Sequence, residues 1–397
     1  MSDIEKIKVI KDHILAAARE SSFAGSDPFD GLNSRFFSLF PGLKRGKFGL
    51  AWIQLNKRSP INLRPLLQVP LARNPKGIAL FILGLIDDYK RTNDADYLDE
   101  AVELANWLLT QQSEKNIWRH SCWGYHFDWN ARAFFVPKGK PNVITTIYVA
   151  QALYALGELV DNEFYIEASV SAADFIVKVL YTESDGRNFF AYIPGETAFV
   201  HNASLWGAAW VSFIAQKTAN EKYKDLALKV ARQSVSEQAE DGSWVYGARH
   251  HHQFIDGFHT GYNLEALDLI RKSLGVFEFD STINKGLEYY KSSLIDSDGS
   301  AKYYNNEKYP LDMHSVTQVV ITLLKVGGSS DDLELASRVL KRSVETLYLP
   351  GSGRFVYQKY KYYSNKIDYM RWTQAWVYYS FSKYERFMSD CEKNKNQ

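Results

Sequence analysis

The chain has 397 residues, 46% of them apolar and 15% aromatic, which is ample for a large globular core. Its 47 Lys and Arg against 46 Asp and Glu leave a formal charge of +1 with no long run of one sign, which argues against nucleic acid or an anionic membrane as the main partner. Two distant cysteines, Cys122 and Cys391, offer neither a disulfide framework nor a zinc-ribbon spacing.

Residues 4–22 read as an amphipathic helix rather than a secretory signal, and no stretch approaches the ~18 uninterrupted apolar residues of a membrane span. The expectation is a cytoplasmic protein without a transmembrane segment. An apolar helix then starts near Lys76, and a half-exposed one follows with Tyr97, Ala101 and Ala105 at four-residue steps. The same ladder recurs as Phe164, Ala168, Ala172 and as Tyr223, Ala227, Ala231, with looser copies at 280–294 and 331–347. Between them stand helices that are apolar or small almost all round, starting near Asn142, His201, His259, Asp312 and Asp368. The pair of buried and half-exposed helix repeats about every fifty-five to sixty residues. Asp185-Gly186, Asp241-Gly242, Asp298-Gly299 and Gly351-Ser-Gly353 mark turns at one phase of that repeat.

Six buried helices need six partners, and five follow them; the N-terminal helix supplies the sixth. The sequence therefore predicts an all-α (α/α)6 toroid over residues 1–390, with a disordered tail at 391–397. In such a ring the N-terminal ends of all inner helices converge on one mouth. Eight of the nine histidines lie in segments leading into inner helices or at their starts, His13 being the exception, so the mouth is the expected site. Lys76, Asn142, His201, Asn202, Asp256, His259, Asp312, His314 and Arg371 share that phase. Asn and Asp there also serve as N-caps, but histidine is a poor cap.

The run His250-His251-His252 points its side chains in different directions, and no cysteine pair assists it, so neither metal nor cofactor is expected. The connection 113–141 holds "CWGYHFDWNARAFF", in which Asp128 is set among Trp123, Tyr125, His126, Trp129, Arg132 and Phe134. A carboxylate among aromatic rings is disfavoured as an ion, as a general acid requires. The expected catalytic set is Asp128, His259, His314 and Asp256. Trp123, Trp129, Trp244 and Tyr262 offer stacking faces, and His126, Arg132, Asn142, His201, Asn202, His252, Asp312, Lys76 and Arg371 offer polar contacts to a sugar or oligosaccharide.

These features resemble the six-hairpin (α/α)6 carbohydrate-active superfamily of glycoside hydrolases, uronate lyases and sugar epimerases. "CWGYHFDWNARAFFVPKGKPNV", "DGSWVYG" and "HHHQFIDGFHTGYNLEAL" look more specifically like six-hairpin proteins encoded with exopolysaccharide and lipopolysaccharide biosynthesis genes. The resemblance implies a carbohydrate-active enzyme of hydrolase or lyase type, acting in bacterial surface-polysaccharide biosynthesis or processing on a uronate-containing glycan or sugar intermediate. It leaves open an epimerase using His259 and His314 as acid and base, or a non-catalytic glycan-binding ring. "QAEDGSW" also resembles the QW repeat of terpene cyclases, but occurs once and without their acidic motif.

Overall fold

A computed structural model describes residues 3–130 and 135–395 of the chain. Six inner helices, Pro75–Thr92, Val143–Val160, His201–Thr218, Gly257–Leu274, Met313–Thr322 and Ala375–Lys395, each pack against the next, and the last packs against the first. Outside them stand Asp3–Glu20, Ala95–Thr110, Glu163–Phe175, Glu221–Val235, Asp280–Ser293 and Ser330–Leu347. The predicted toroid is the observed fold.

The burial pattern explains the two rings. Along Val143–Val160, Ile147, Val149, Ala150, Ala152 and Leu153 are fully buried on every side of the helix. Burying each large aliphatic side chain contributes roughly 1.5–3 kcal/mol. This helix has the length and mean hydropathy of a membrane span, but 72% of it is buried inside the ring, so its apolar surface is already covered by protein. In the outer helices the alanine ladders face inward: Ala101, Ala105, Ala172, Ala227 and Ala231 are fully buried. Phe164 is the exception to its ladder. It lies two residues after the cap Asn162 and is 74% exposed.

Asparagine and aspartate caps fix the inner-helix starts. The side chains of Asn74, Asn142, Asp256 and Asp312 accept backbone N–H groups of their own first turns. Asp368 does not cap: it binds Arg354 and Gln374, and the last inner helix is entered through a wide π turn at Met370–Gln374. That helix runs on to Lys395, into the stretch expected to be a tail. The Asp-Gly turns close hairpins between outer and inner helices. Asp185 and Gly186 both take left-handed φ, +51° and +73°, joining Tyr181–Ser184 to Arg187–Phe190 as a two-residue hairpin turn. At Gly242, φ is +90° and a Cβ would stand 2.3 Å from the Lys285 carbonyl oxygen, so only glycine fits.

The N-terminal helix closes the ring as predicted. Lys11, fully buried, reaches Asp88 on the first inner helix at 2.5 Å and Glu385 on the last at 2.8 Å. Asp88 also accepts the hydroxyls of Tyr378 and Ser382.

The sequence reading assigned nothing to residues 23–73. They fold as a cap of short helices, Arg35–Leu39, Gly46–Arg58 and Arg64–Leu67, around a small core of Leu32, Phe37 and Ile53. Phe29, Trp52, Trp129 and Phe135 pack onto that core, which ties the cap to the loop holding Asp128.

Candidate active site

A cavity of about 970 Å³ opens at the N-terminal ends of the inner helices. The ring supplies Lys76, Asn202, Asp256, His259, Tyr262, His314 and Arg371, connecting loops supply Tyr125, Trp129, Tyr246 and His252, and the cap supplies Leu50, Gln54, Lys57 and Arg58. Tyr303, Tyr304, Tyr360 and Tyr363 form its rim on a sheet ordered 364–365, 358–359, 307–312, 302–304.

Asp256 and His259 sit one turn apart at the start of the fourth inner helix. One Asp256 oxygen accepts the His259 backbone N–H at 2.8 Å, and the other lies 2.7 Å from His259 Nδ1. A carboxylate there holds the proton on Nδ1 and leaves Nε2 as a lone pair. The His259 side chain is 22% exposed, whereas that of Asp256 is 1% exposed. Tyr246 lies against the imidazole, with ring centroids 4.5 Å apart.

The Tyr262 ring lies 6.0 Å from that of His259, and its hydroxyl is 2.6 Å from His314 Nε2. Burial, then the charge of Glu265, raises the Tyr262 pKa well above the ordinary phenol range, so it stays protonated. His314 is enclosed by Phe258, Trp372 and Trp376, and burial followed by the charges of Lys76 and Arg371 keeps it neutral. Tyr262 therefore donates to His314.

Two cations stand nearby in unlike settings. Arg371 forks onto Asp27 through Nε at 2.5 Å and Nη2 at 2.8 Å, and lies over the Tyr125 and Trp372 rings. Among the described residues Lys76 makes no ion pair; its ammonium rests on the faces of Tyr148, Trp376 and Tyr262 and is 3.5 Å from the Tyr262 hydroxyl. Burial, then Arg371, pushes its pKa well below the usual lysine value, while the ring faces favour the ammonium. Lys57 and Arg58 add positive charge from the cap, and the lining carboxylates are Asp256 and Glu196 among the described residues. Glu196 is engaged by Arg249 and two backbone N–H groups.

The structure thus brings together Lys76, Trp129, Asn202, His252, Asp256, His259, Tyr262, His314 and Arg371. It places other expected residues elsewhere. Asp128 lies outside the cavity lining: one carboxylate oxygen takes Lys44 at 2.6 Å and the other the Lys138 N–H at 2.7 Å, so it is an ion-paired loop anchor rather than a general acid. Trp123 and Trp244 are core side chains that donate to the Leu108 and Ser234 carbonyls and present no stacking face. Asn142 and Asp312 are buried caps, and Asp312 also accepts Gln358, with burial raising its pKa to about 6. His126 stands behind Arg371 in a narrow cleft, bonded to Asn74. His201 is buried against Phe199, which holds it neutral with a pKa lowered to about 4. Arg132 lies outside the described residues. Among those described, no three His, Cys, Asp or Glu side chains converge closely enough to hold a metal.

Sequence reasoning missed Asp27, Lys57, Arg58 and the rim tyrosines. Asp27 and Arg371 are 344 positions apart, and no local pattern marks that pairing.

An (α/α)6 toroid with a cationic, aromatic mouth is the class of protein that fold and cavity define. The chain matches no family model and no curated protein sequence. Solved structures share its fold. The unsaturated glucuronyl hydrolase of Bacillus sp. GL1 is 12% identical with a TM-score of 0.64, over 96% of this chain and 96% of that one. A cellobiose 2-epimerase from Bacillus thermoamylovorans is 11% identical with a TM-score of 0.61, over 82% and 90%. An α-mannanase of glycoside hydrolase family 76 from Bacteroides thetaiotaomicron is 11% identical with a TM-score of 0.60, over 81% and 87%. At these identities the likeness is one of fold.

Proposed function

We propose that the protein is a carbohydrate-active enzyme that moves protons on an anionic, uronate-type sugar, and that its reaction is elimination. The observation that carries this reading is the Asp256–His259 dyad beside the Tyr262–His314 pair, with ring centroids of His259 and Tyr262 6.0 Å apart in a cationic cavity. One side chain is poised to accept a proton and its neighbour to give one.

A sugar carboxylate seated near Lys76 and Arg371 acidifies the adjacent C–H, because both cations stabilise charge that develops on the carboxylate as the proton leaves. His259 Nε2 takes that proton. The electron pair left behind becomes a carbon–carbon double bond as the neighbouring C–O bond breaks. The Tyr262 hydroxyl turns from His314 and gives its proton to the departing oxygen, and Lys76 stabilises the phenolate until solvent returns a proton to it and takes the one held by His259. No further reactant is consumed. Hydrolysis by two carboxyl groups flanking the bond is less well supported, because Asp256 and Glu196 are both committed to other partners. Surface-polysaccharide assembly as the setting rests on the sequence resemblance alone.

The test is incubation of uronate oligosaccharides with the protein in heavy water. Ultraviolet absorbance from a new conjugated double bond, in a product whose carbon beside the carboxylate carries neither hydrogen nor deuterium, is the expected result, and His259→Ala abolishes it. Exchange with inversion and no double bond makes the enzyme an epimerase. Cleavage that adds water without exchange sinks the proton-transfer reading.

A further inference from the structure

The +1 total hides a one-sided stretch. Between Asp30 and Asp87 the chain has nine Lys and Arg and no Asp or Glu. The same stretch carries nine of the sixteen large apolar side chains that are exposed among the described residues, from Phe36 to Leu71. Most of it is the cap over the cavity. On the cap helix Gly46–Arg58, Gly49, Ile53 and Asn56 face inward, while Phe48, Ala51, Leu55 and Arg58, spaced three, four and three apart, form one outward stripe. Phe36 and Phe40 join that stripe through ring contacts. Their centroids are 5.3 Å apart, Phe36 touches the buried Phe37, and Phe37 lies 6.2 Å from Phe48. Leu39 beside them is 69% exposed, and Arg35, Arg45 and Lys47 are exposed around the patch.

We infer that this cap face docks on an anionic lipid surface, inserting Phe36, Leu39, Phe40, Phe48 and Leu55 among the acyl chains while Arg35, Arg45 and Lys47 meet lipid phosphates. Phenylalanine and leucine on one side, beside Arg35, Arg45 and Lys47 in a stretch that has no Asp or Glu of its own, is the chemistry of an interfacial helix. Exposed singly such side chains need no partner, but a contiguous patch does. A second copy of the chain fits the patch poorly, since a two-fold contact brings the same bases face to face. Leu50, Gln54, Lys57 and Arg58 of this helix also line the cavity, so docking holds the mouth beside the headgroups. The inference stands apart from the reaction proposed above, and its test reads no turnover.

The full chain is sedimented with phosphatidylcholine vesicles with or without phosphatidylglycerol, over a range of salt. Binding to the anionic vesicles alone, weakening with salt, is expected. Arg35→Gln with Lys47→Gln weakens it roughly fivefold for each charge removed. Leu39→Ser with Phe40→Ser abolishes it while circular dichroism and Tm stay as in the wild type. Failure to bind anionic vesicles at low salt overturns the inference, as does binding unchanged by both pairs. Self-association of the wild type that the serine pair abolishes also overturns it, by making the patch a contact between copies.

Discussion

Asp256 grips His259 twice, once through the backbone N–H and once through the imidazole, with one carboxylate oxygen for each at 2.8 and 2.7 Å. In the proposed reaction the helix cap is also the group that orients the imidazole, so the two roles separate by substitution. Asn is as good a cap as Asp but carries no charge and presents an NH₂ where an acceptor is needed. Asp256→Asn should leave Tm nearly unchanged and lower turnover by about a hundred- to ten-thousandfold. Asp256→Ala should lose as much activity and also about 1 kcal/mol of stability. Turnover and denaturant melts on both variants decide; an Asn variant with full activity removes the dyad from the mechanism.

Lys76 should show stability and function opposed. Its ammonium is buried among three ring faces with no carboxylate partner among the described residues, so a methionine there keeps the packing and sheds the desolvation cost of a charge. Lys76→Met is expected to raise Tm and to raise KM for a uronate substrate more than for its neutral analogue. A lower Tm would show that the rings more than offset the loss of water around the ammonium.

Ring closure rests on Lys11. Removing its charge leaves Asp88 and Glu385 buried with less compensation, a loss of about 3–5 kcal/mol, and Lys11→Met should unfold at correspondingly lower denaturant. Adding Glu385→Gln to that variant should recover part of the loss, because it removes one uncompensated carboxylate. Equilibrium denaturation in urea measures both.

Acid should act through His201. Its folded pKa of about 4 lies below the ordinary histidine value because burial disfavours the charged ring. The unfolded chain therefore binds the extra proton first as pH falls, and stability is lost between about pH 6.5 and pH 4, while above that window the group is neutral in both states. His201→Gln removes this contribution. Relative to its own stability at pH 7, the variant should gain about 2 kcal/mol on the wild type at pH 5. Parallel curves for the two proteins across that range would show that His201 takes its proton in the folded state.

The rings were legible because burial leaves a period in the sequence: alanines at four-residue steps lie flat against an inner helix, and helices apolar all round have only the centre to occupy. Asp256 and His259 were legible as mouth residues, and their contact needs nothing more, since residues three apart at a helix start meet without help from the rest of the fold. Asp128 misled because the aromatics around it suggested a dry site, whereas the loop folds against the cap and meets Lys44 there. The cap itself has short helices, no repeat and a core of three residues, so it carries no periodic signal. Arg371 was readable as a mouth residue, but not its hold on Asp27, which depends on two distant segments arriving at one place.

The closure of the ring also fixes when the cavity can exist. Lys11 is synthesised long before Glu385, one of the carboxylates it pairs with, and Arg371 and Trp372 of the cavity wall are made only shortly before that partner. Until then the nascent chain is an open crescent, with Lys11 and Asp88 already synthesised and their third partner missing. Such a chain cannot acquire its activity by degrees during translation: five hairpins can stack as they appear, but the mouth becomes a mouth only when the final helix slots between the first two.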